Sequence, residues 1–129
     1  MSPLEPRDEA LQTLYAADIM ETTPDAGELH ARAAQLVAGV VTQRSVLDQV
    51  IGRIAVGWRV ERMPAVDRNI LRIGVYELLN TETPVGVIVS EAVELAKRYS
   101  TAKSGPFVNG VLGKLADELK ALRSESPPE

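Results

Sequence analysis

Apolar residues along this chain recur at spacings of three and four, with no sustained alternation of apolar and polar residues. Each periodic run is therefore a helix. The first is expected over Arg7 to about Met20, with Ala10, Leu11, Leu14, Tyr15 and Asp18 on one side. Thr22, Thr23, Pro24 and Asp25 end it, and Asp25 is placed to cap a second helix from about Gly27 to Gln43. Leu29, Ala33, Leu36, Val37, Val40 and Val41 keep the helical period there. Ser45 is then expected to cap a third helix carrying Val46, Leu47, Val50, Ile51 and Ile54, which Gly57 ends. Trp58 to Met63 forms a short helical turn, with Trp58 as a core or hinge anchor.

The second half carries the stronger pattern. Val66 to Asn80 is apolar around more than half its circumference, through Val66, Ile70, Leu71, Ile73, Gly74, Val75 and Leu78, and is expected to be the central, most buried helix. Thr83 followed by Pro84 opens a helix to about Ser100, with Ile88, Ala92, Leu95, Ala96 and Tyr99 facing inward. Ser104 caps a last helix striped by Val108, Val111, Leu112, Leu115, Leu119 and Leu122. The expectation is an all-α chain of about six to seven helices. Residues 1–6 form an N-terminal arm, 7–122 a single helical domain and 123–129 a disordered tail.

Composition narrows the chemistry. With no cysteine, disulfides, thiolate metal sites and cysteine nucleophiles are excluded together. The one histidine, His30, cannot pair with another to hold a metal, and its polar neighbours make it a surface residue. No glycine-rich phosphate loop follows a strand. Most acids fit helix physics: Glu94 precedes Arg98 by four residues, a favourable ion-pair spacing, while Glu61 and Asp67 sit near a helix start. No enzyme activity, metal or cofactor is expected. No apolar run approaches the roughly 18 residues of a membrane span, and no leader pattern opens the chain, so a cytoplasmic location is expected. The net charge of −4 is the wrong sign for gripping nucleic acid by bulk electrostatics, so any such binding needs a local basic patch or a partner.

Two surfaces offer such a patch. Arg68, Arg72 and Tyr76 recur every four residues on the central helix, beside Asn69, and supply forked donors with a flat stacking face. The alternative for that trio is a plain polar face. Between Lys97 and Phe107, three basic residues, Lys97, Arg98 and Lys103, fall among the aromatics Tyr99 and Phe107 next to a helix N-terminus. A solvated helix end and loop is the alternative there. Gly110 and Gly113 lie off the apolar stripe of the last helix, although each costs roughly 1 kcal/mol relative to alanine. Close approach by a ligand or tight packing on a neighbouring helix would account for them equally.

Taken in order, these segments resemble one family. The run from Ala65 to Leu79, with its Leu71-Arg72-Ile73 and Tyr76-Glu77-Leu78 cores, is similar to the central helix of NusB proteins. Glu91-Ala92-Val93-Glu94-Leu95-Ala96-Lys97 and Phe107-Val108-Asn109-Gly110-Val111-Leu112 follow at the family's spacing. The resemblance covers about Arg7 to Leu119. It implies a bundle of two packed helical subdomains. It also implies a non-catalytic transcription antitermination factor that joins NusE, a small-subunit ribosomal protein, on boxA RNA of nascent transcripts, notably those of ribosomal RNA operons, in an antitermination complex with RNA polymerase.

Carried over by position, the resemblance implies that Tyr15 and Asp67 contact NusE, and that Arg7, Lys97, Lys103, Phe107 and Asn109 face RNA. One departure stands out. Family members usually begin with an arginine-rich segment, whereas here Arg7 is the only basic residue of the first nine, beside Glu5, Asp8 and Glu9. Either the start lies upstream or RNA binding leans on the partner. Two other readings stay open: a protein-interaction module or homodimer with reduced RNA binding, and a detached RNA-binding domain of a ribosomal RNA methyltransferase.

Overall fold

Proline in the first turn, where its missing N–H costs nothing, opens α1 (Pro6–Met20). The helix closes with Glu21 in the left-handed region, φ 54°, as the Thr22 N–H donates to the Ala17 carbonyl at 2.9 Å. The computed structural model describes residues 5–27 and 29–124. Four further helices follow: α2 (Ala31–Ile54), α3 (Ala65–Asn80), α4 (Val85–Tyr99) and α5 (Ser104–Ser124), with a 3₁₀ turn at Val60–Arg62 leading into α3. No strand occurs among the described residues. The all-α expectation holds. Residues 1–4 of the expected arm and 125–129 of the expected tail lie outside the described residues, while Arg123 and Ser124 belong to α5.

The helix boundaries are corrected at two places. No break occurs at Gln43–Ser45, and the two helices expected there are the single 24-residue α2. Val37, Val40, Leu47, Ile51 and Ile54 are all buried, and the step from Val40 to Leu47 is two full turns, so the apolar phase runs through the polar stretch without interruption. Ser45 is mid-helix and caps nothing. Val41 and Val46 lie off that phase and are exposed, as is Leu122 beyond Leu119, the last α5 residue packed on the core. The start of α2 also moves, to Ala31. Asp25 accepts the Gly27 N–H at 2.9 Å to form a turn, and the His30 N–H is bonded to Glu9 of α1 at 3.0 Å, so the helical ladder begins only with Ala34 N–H on the His30 carbonyl.

The architecture places α3 against each of the other four helices, with α1 and α2 on one side and α4 and α5 on the other. Ile70, Leu71 and Ile73 of α3 are buried among Leu11, Leu47, Ile51, Ile88, Leu95 and Leu112. Two glycines set the closest approaches. A Cβ on Gly74 would stand 2.6 Å from Leu112 Cδ1, and one on Gly39 would overlap the ring of Tyr76. Tyr76 is thus half-buried over α2.

The expected Arg68–Arg72–Tyr76 binding face is corrected by the same packing. Arg72 is 3% exposed; its Nε and Nη2 donate to Asp48 of α2 at 2.8 and 3.0 Å, and its Nη1 donates to Asn69 at 3.1 Å and to Asp18 at 3.3 Å. Arg68 grips Asp18 of α1 through two bonds of 2.7 and 2.8 Å, and Asn69 adds a third at 2.8 Å. Arginines on so apolar a helix can be buried only with their charge answered, and Asp18, on the inward side of α1, answers it.

Burial alone would raise the Asp18 pKa, but hydrogen bonds from Arg68 and Asn69 and the charges of Arg68 and Arg72 outweigh it and hold the carboxyl at about 2. The folded pKa lies below the unfolded value of about 3.9, so the stabilisation is complete above that value and is lost as pH falls toward 2. Asp18→Ala is expected to cost about 2 to 4 kcal/mol at neutral pH, less than a wholly stranded buried charge because Asp48 still holds Arg72. Urea unfolding at a series of pH values checks this, with the gap between variant and parent narrowing from about pH 4 downward.

Candidate nucleic-acid interface

The segment joining α4 to α5 is short and tethered from below. Asp67, in the first turn of α3, is 6% exposed and accepts both Ser100 Oγ, at 2.5 Å, and Ser104 Oγ, at 2.9 Å. The two hydroxyls also meet each other at 2.8 Å, and the Ser104 N–H returns to the Thr101 carbonyl at 3.0 Å. One buried carboxylate therefore fixes the last residue before the connector and the first residue of α5. With the connector pinned, Thr101, Ala102 and Lys103 point to solvent.

The sequence-derived RNA residues fall into three groups. Lys103 and Phe107 stand one turn apart at the start of α5, Lys103 exposed and Phe107 half-buried, and they share a face. Asn109 is exposed but lies about 200° around the helix from Phe107, so the structure does not bring it to that face. Lys97 is exposed on the last turn of α4, 3.4 Å from Glu94. Its neighbour Arg98 does not pair with Glu94 as the spacing suggested. It donates instead to the buried Asp8 of α1, from Nη2 at 2.9 Å, and Tyr99 Oη donates to the same carboxylate at 2.9 Å. Long-range pairing wins because Asp8 is buried and needs its charge matched.

Arg7 is also committed inward. Its Nε and Nη2 form a two-pronged bridge to Glu77 of α3, both bonds 2.7 Å, and Glu77 is 2% exposed. The guanidinium assigned to RNA is thus the counter-charge of a buried acid. The acids beside it have structural roles as well. Asp8 holds α4, and Glu9 holds the start of α2 through the His30 N–H and ring, each at 3.0 Å. Those bonds lower the Glu9 pKa. His30 is exposed, as expected, yet tied.

Of the two expected partner contacts, Tyr15 is exposed on α1, one turn before the exposed Ile19. Asp67 presents no free surface of its own, since both oxygens are engaged below the connector. Reading Asp67 as a helix-start acid missed this, because its partners lie 33 and 37 residues away. Sequence reading also missed Trp58, which is 56% exposed and is no core anchor; its ring meets Phe107 at a centroid distance of 5.3 Å, tilted 54°. Of the two accounts of Gly110 and Gly113, tight packing on a neighbouring helix is not what the structure shows, for a Cβ at either would meet nothing within 4 Å.

An open groove of about 1040 Å³ lies between the end of α1, α2 and the 3₁₀ turn, and most of the charges lining it pair within it, Asp18 and Asp48 with Arg68 and Arg72, Arg44 with Asp48, and Glu61 with Arg59. Among the described residues no acidic or histidine cluster is arranged to hold a metal, and no helix is long and apolar enough to cross a membrane. Asp67→Ala is expected to cost about 2 to 4 kcal/mol, since the buried Ser104 hydroxyl and the part-buried Ser100 hydroxyl lose their acceptor, and Asp67→Asn less because its amide oxygen keeps one. Equilibrium unfolding measures both; equal and negligible losses would mean the tether carries no weight.

Comparison with known proteins bears on the whole length. The transcription antitermination protein NusB of Anaeromyxobacter dehalogenans strain 2CP-1 is 42% identical over 130 residues, spanning 91% of this chain and 92% of the relative. NusB of T. maritima superposes with a TM-score of 0.76 at 32% identity, over 88% of this chain and 89% of that one. A crystal structure of the antitermination factors NusB and NusE in complex with double-stranded RNA contains a chain that matches at a TM-score of 0.74 and 32% identity, over 88% and 94%. The NusB family model matches residues 4–117, and the chain belongs to that family.

Proposed function

We propose that this protein is a transcription antitermination factor that binds boxA-type RNA of nascent transcripts, notably from ribosomal RNA operons, together with NusE, and that it catalyses no reaction. The observation that carries the reading is the exposed basic and aromatic face at the start of α5, Lys103 with Phe107, with Lys97 close by in sequence on the last turn of α4. A flat ring beside cations suits an unpaired base and its phosphates. Asn109 serves the RNA from a second side of the helix. The relatives named NusB and the neighbour solved with NusE and RNA support the assignment of partners.

RNA binding depends on the partner. The net charge is −4, Arg7 is spent on Glu77, and Arg98 on Asp8, which leaves few cations for phosphate. Arg7 contributes by seating α1 on α3. Tyr15 and Ile19 offer NusE an apolar ridge, and Asp67 acts on the assembly by holding the α4–α5 connector. Assembly takes place in the cytoplasm, where the transcribing polymerase is.

Titration of labelled boxA RNA with the protein alone and with NusE tests the reading. Saturable binding is expected with NusE and much weaker binding without it. Lys103→Ala is expected to weaken the ternary complex and to reduce the salt slope by roughly 0.7, the value for one phosphate contact on a single strand. Tyr15→Ala is expected to weaken NusE association while leaving thermal stability unchanged. Failure to bind RNA in either condition, with self-association through the Tyr15–Ile19 ridge, would favour the homodimer instead.

A further inference from the structure

The only tryptophan of the chain sits on the surface, and nothing in the folding of the domain requires that. Trp58 follows Gly57, whose φ of +86° turns the chain out of α2, and its N–H is anchored on the Ala55 carbonyl at 3.0 Å. A chain with one large indole to bury would gain most by placing it in the core. Here the ring instead leans on the half-buried Phe107 and remains more than half open. A tilted pair of this kind leaves an aromatic face available.

The surroundings favour an anionic ligand with a flat group. Lys103 lies one turn before Phe107 and Lys114 two turns after it, so all three fall along one side of α5; both lysines are exposed, with Lys114 one turn before Glu118, whose nearer partner is Arg53. Gly110 lies between them on the same side, where a Cβ would meet nothing within 4 Å. The helix there exposes bare backbone at a cost in helix propensity that no internal contact explains. Arg59, next to Trp58, is exposed with Glu61 as its partner at 3.4 Å.

We infer that Trp58 is a base-stacking residue, which with Phe107 forms a two-ring seat for one unpaired base of a bound RNA strand, while Lys103 and Lys114 meet phosphates on either side. The inference rests on the RNA-binding reading above and adds a recognition residue from outside α5. Stacking tolerates any base, so the seat adds affinity and fixes the strand's path without selecting sequence.

Because Trp58 is the single tryptophan, its fluorescence reports on the seat directly. A single-stranded boxA-type dodecamer is added to the full chain with NusE present, and quenching is followed alongside affinity. The expected results are saturable quenching, a loss of about tenfold in affinity for Trp58→Ala, and near-parent affinity for Trp58→Phe. Circular dichroism verifies that the exposed site tolerates both changes. If the parent binds RNA but Trp58→Ala binds as tightly, the seat is refuted and the RNA-binding reading survives. If Trp58 responds to NusE alone and not to RNA, it belongs to a protein interface and the inference falls. If the parent binds no RNA under any condition, both readings fall together.

Discussion

Everything in this fold hangs on the need to satisfy polar groups carried by its most buried helix. α3 brings Asp67, Asn69, Arg72 and Glu77 into the interior, and each is answered from another element: Glu77 by Arg7 of α1, Asn69 by Asp18 of α1, Arg72 by Asp18 and by Asp48 of α2, and Asp67 by Ser100 and Ser104 at the α4–α5 connector. Among the described residues no buried side-chain nitrogen or oxygen lacks a partner. Hydrophobic burial is indifferent to small slides and rotations of a helix. A forked guanidinium on a carboxylate is not, because stranding either charge away from water costs several kcal/mol. The network therefore fixes where α1, α2 and the α4–α5 connector sit around α3.

That constraint links structure to function in an indirect way. The residues expected to touch ligands divide into those that reach solvent, namely Tyr15, Lys97, Lys103, Phe107 and Asn109, and those that hold them in place, namely Arg7 and Asp67. The acids beside Arg7 are consistent with this division. Asp8 and Glu9 bind α1 to α4 and to the start of α2, so the first helix is seated by charge pairing within the protein.

Much of this was legible in the residues. The helical period located all five helices and the centrality of α3, and the motif order identified the family. The extra helix boundary at Ser45 came from weighing a polar stretch and a cap residue above the phase of the apolar positions, which in fact runs unbroken from Val37 to Ile54. The Arg68–Arg72 pair carried a readable sign of its fate, since two arginines on the most buried helix imply inward-facing acids, and Asp18 tracks the apolar side of α1 with Leu11 and Leu14. The partners of Asp67 were not legible, because nothing local connects an acid at a helix start with two serines more than thirty residues on. Nor was the exposure of Trp58, for residue type alone argues for burial.

The central claim, that α3 and its charge network set the register of the bundle, is tested most directly by native-state hydrogen exchange on the parent and on Arg72→Met. In the parent, the amides of Ile70 to Leu78 are expected to exchange only through global unfolding. In the variant, α1 and α2, the helices that supply Asp18 and Asp48, are expected to lose more protection than α4 and α5. Exchange of α3 ahead of the helices around it, or an even loss across all five in the variant, would contradict the account.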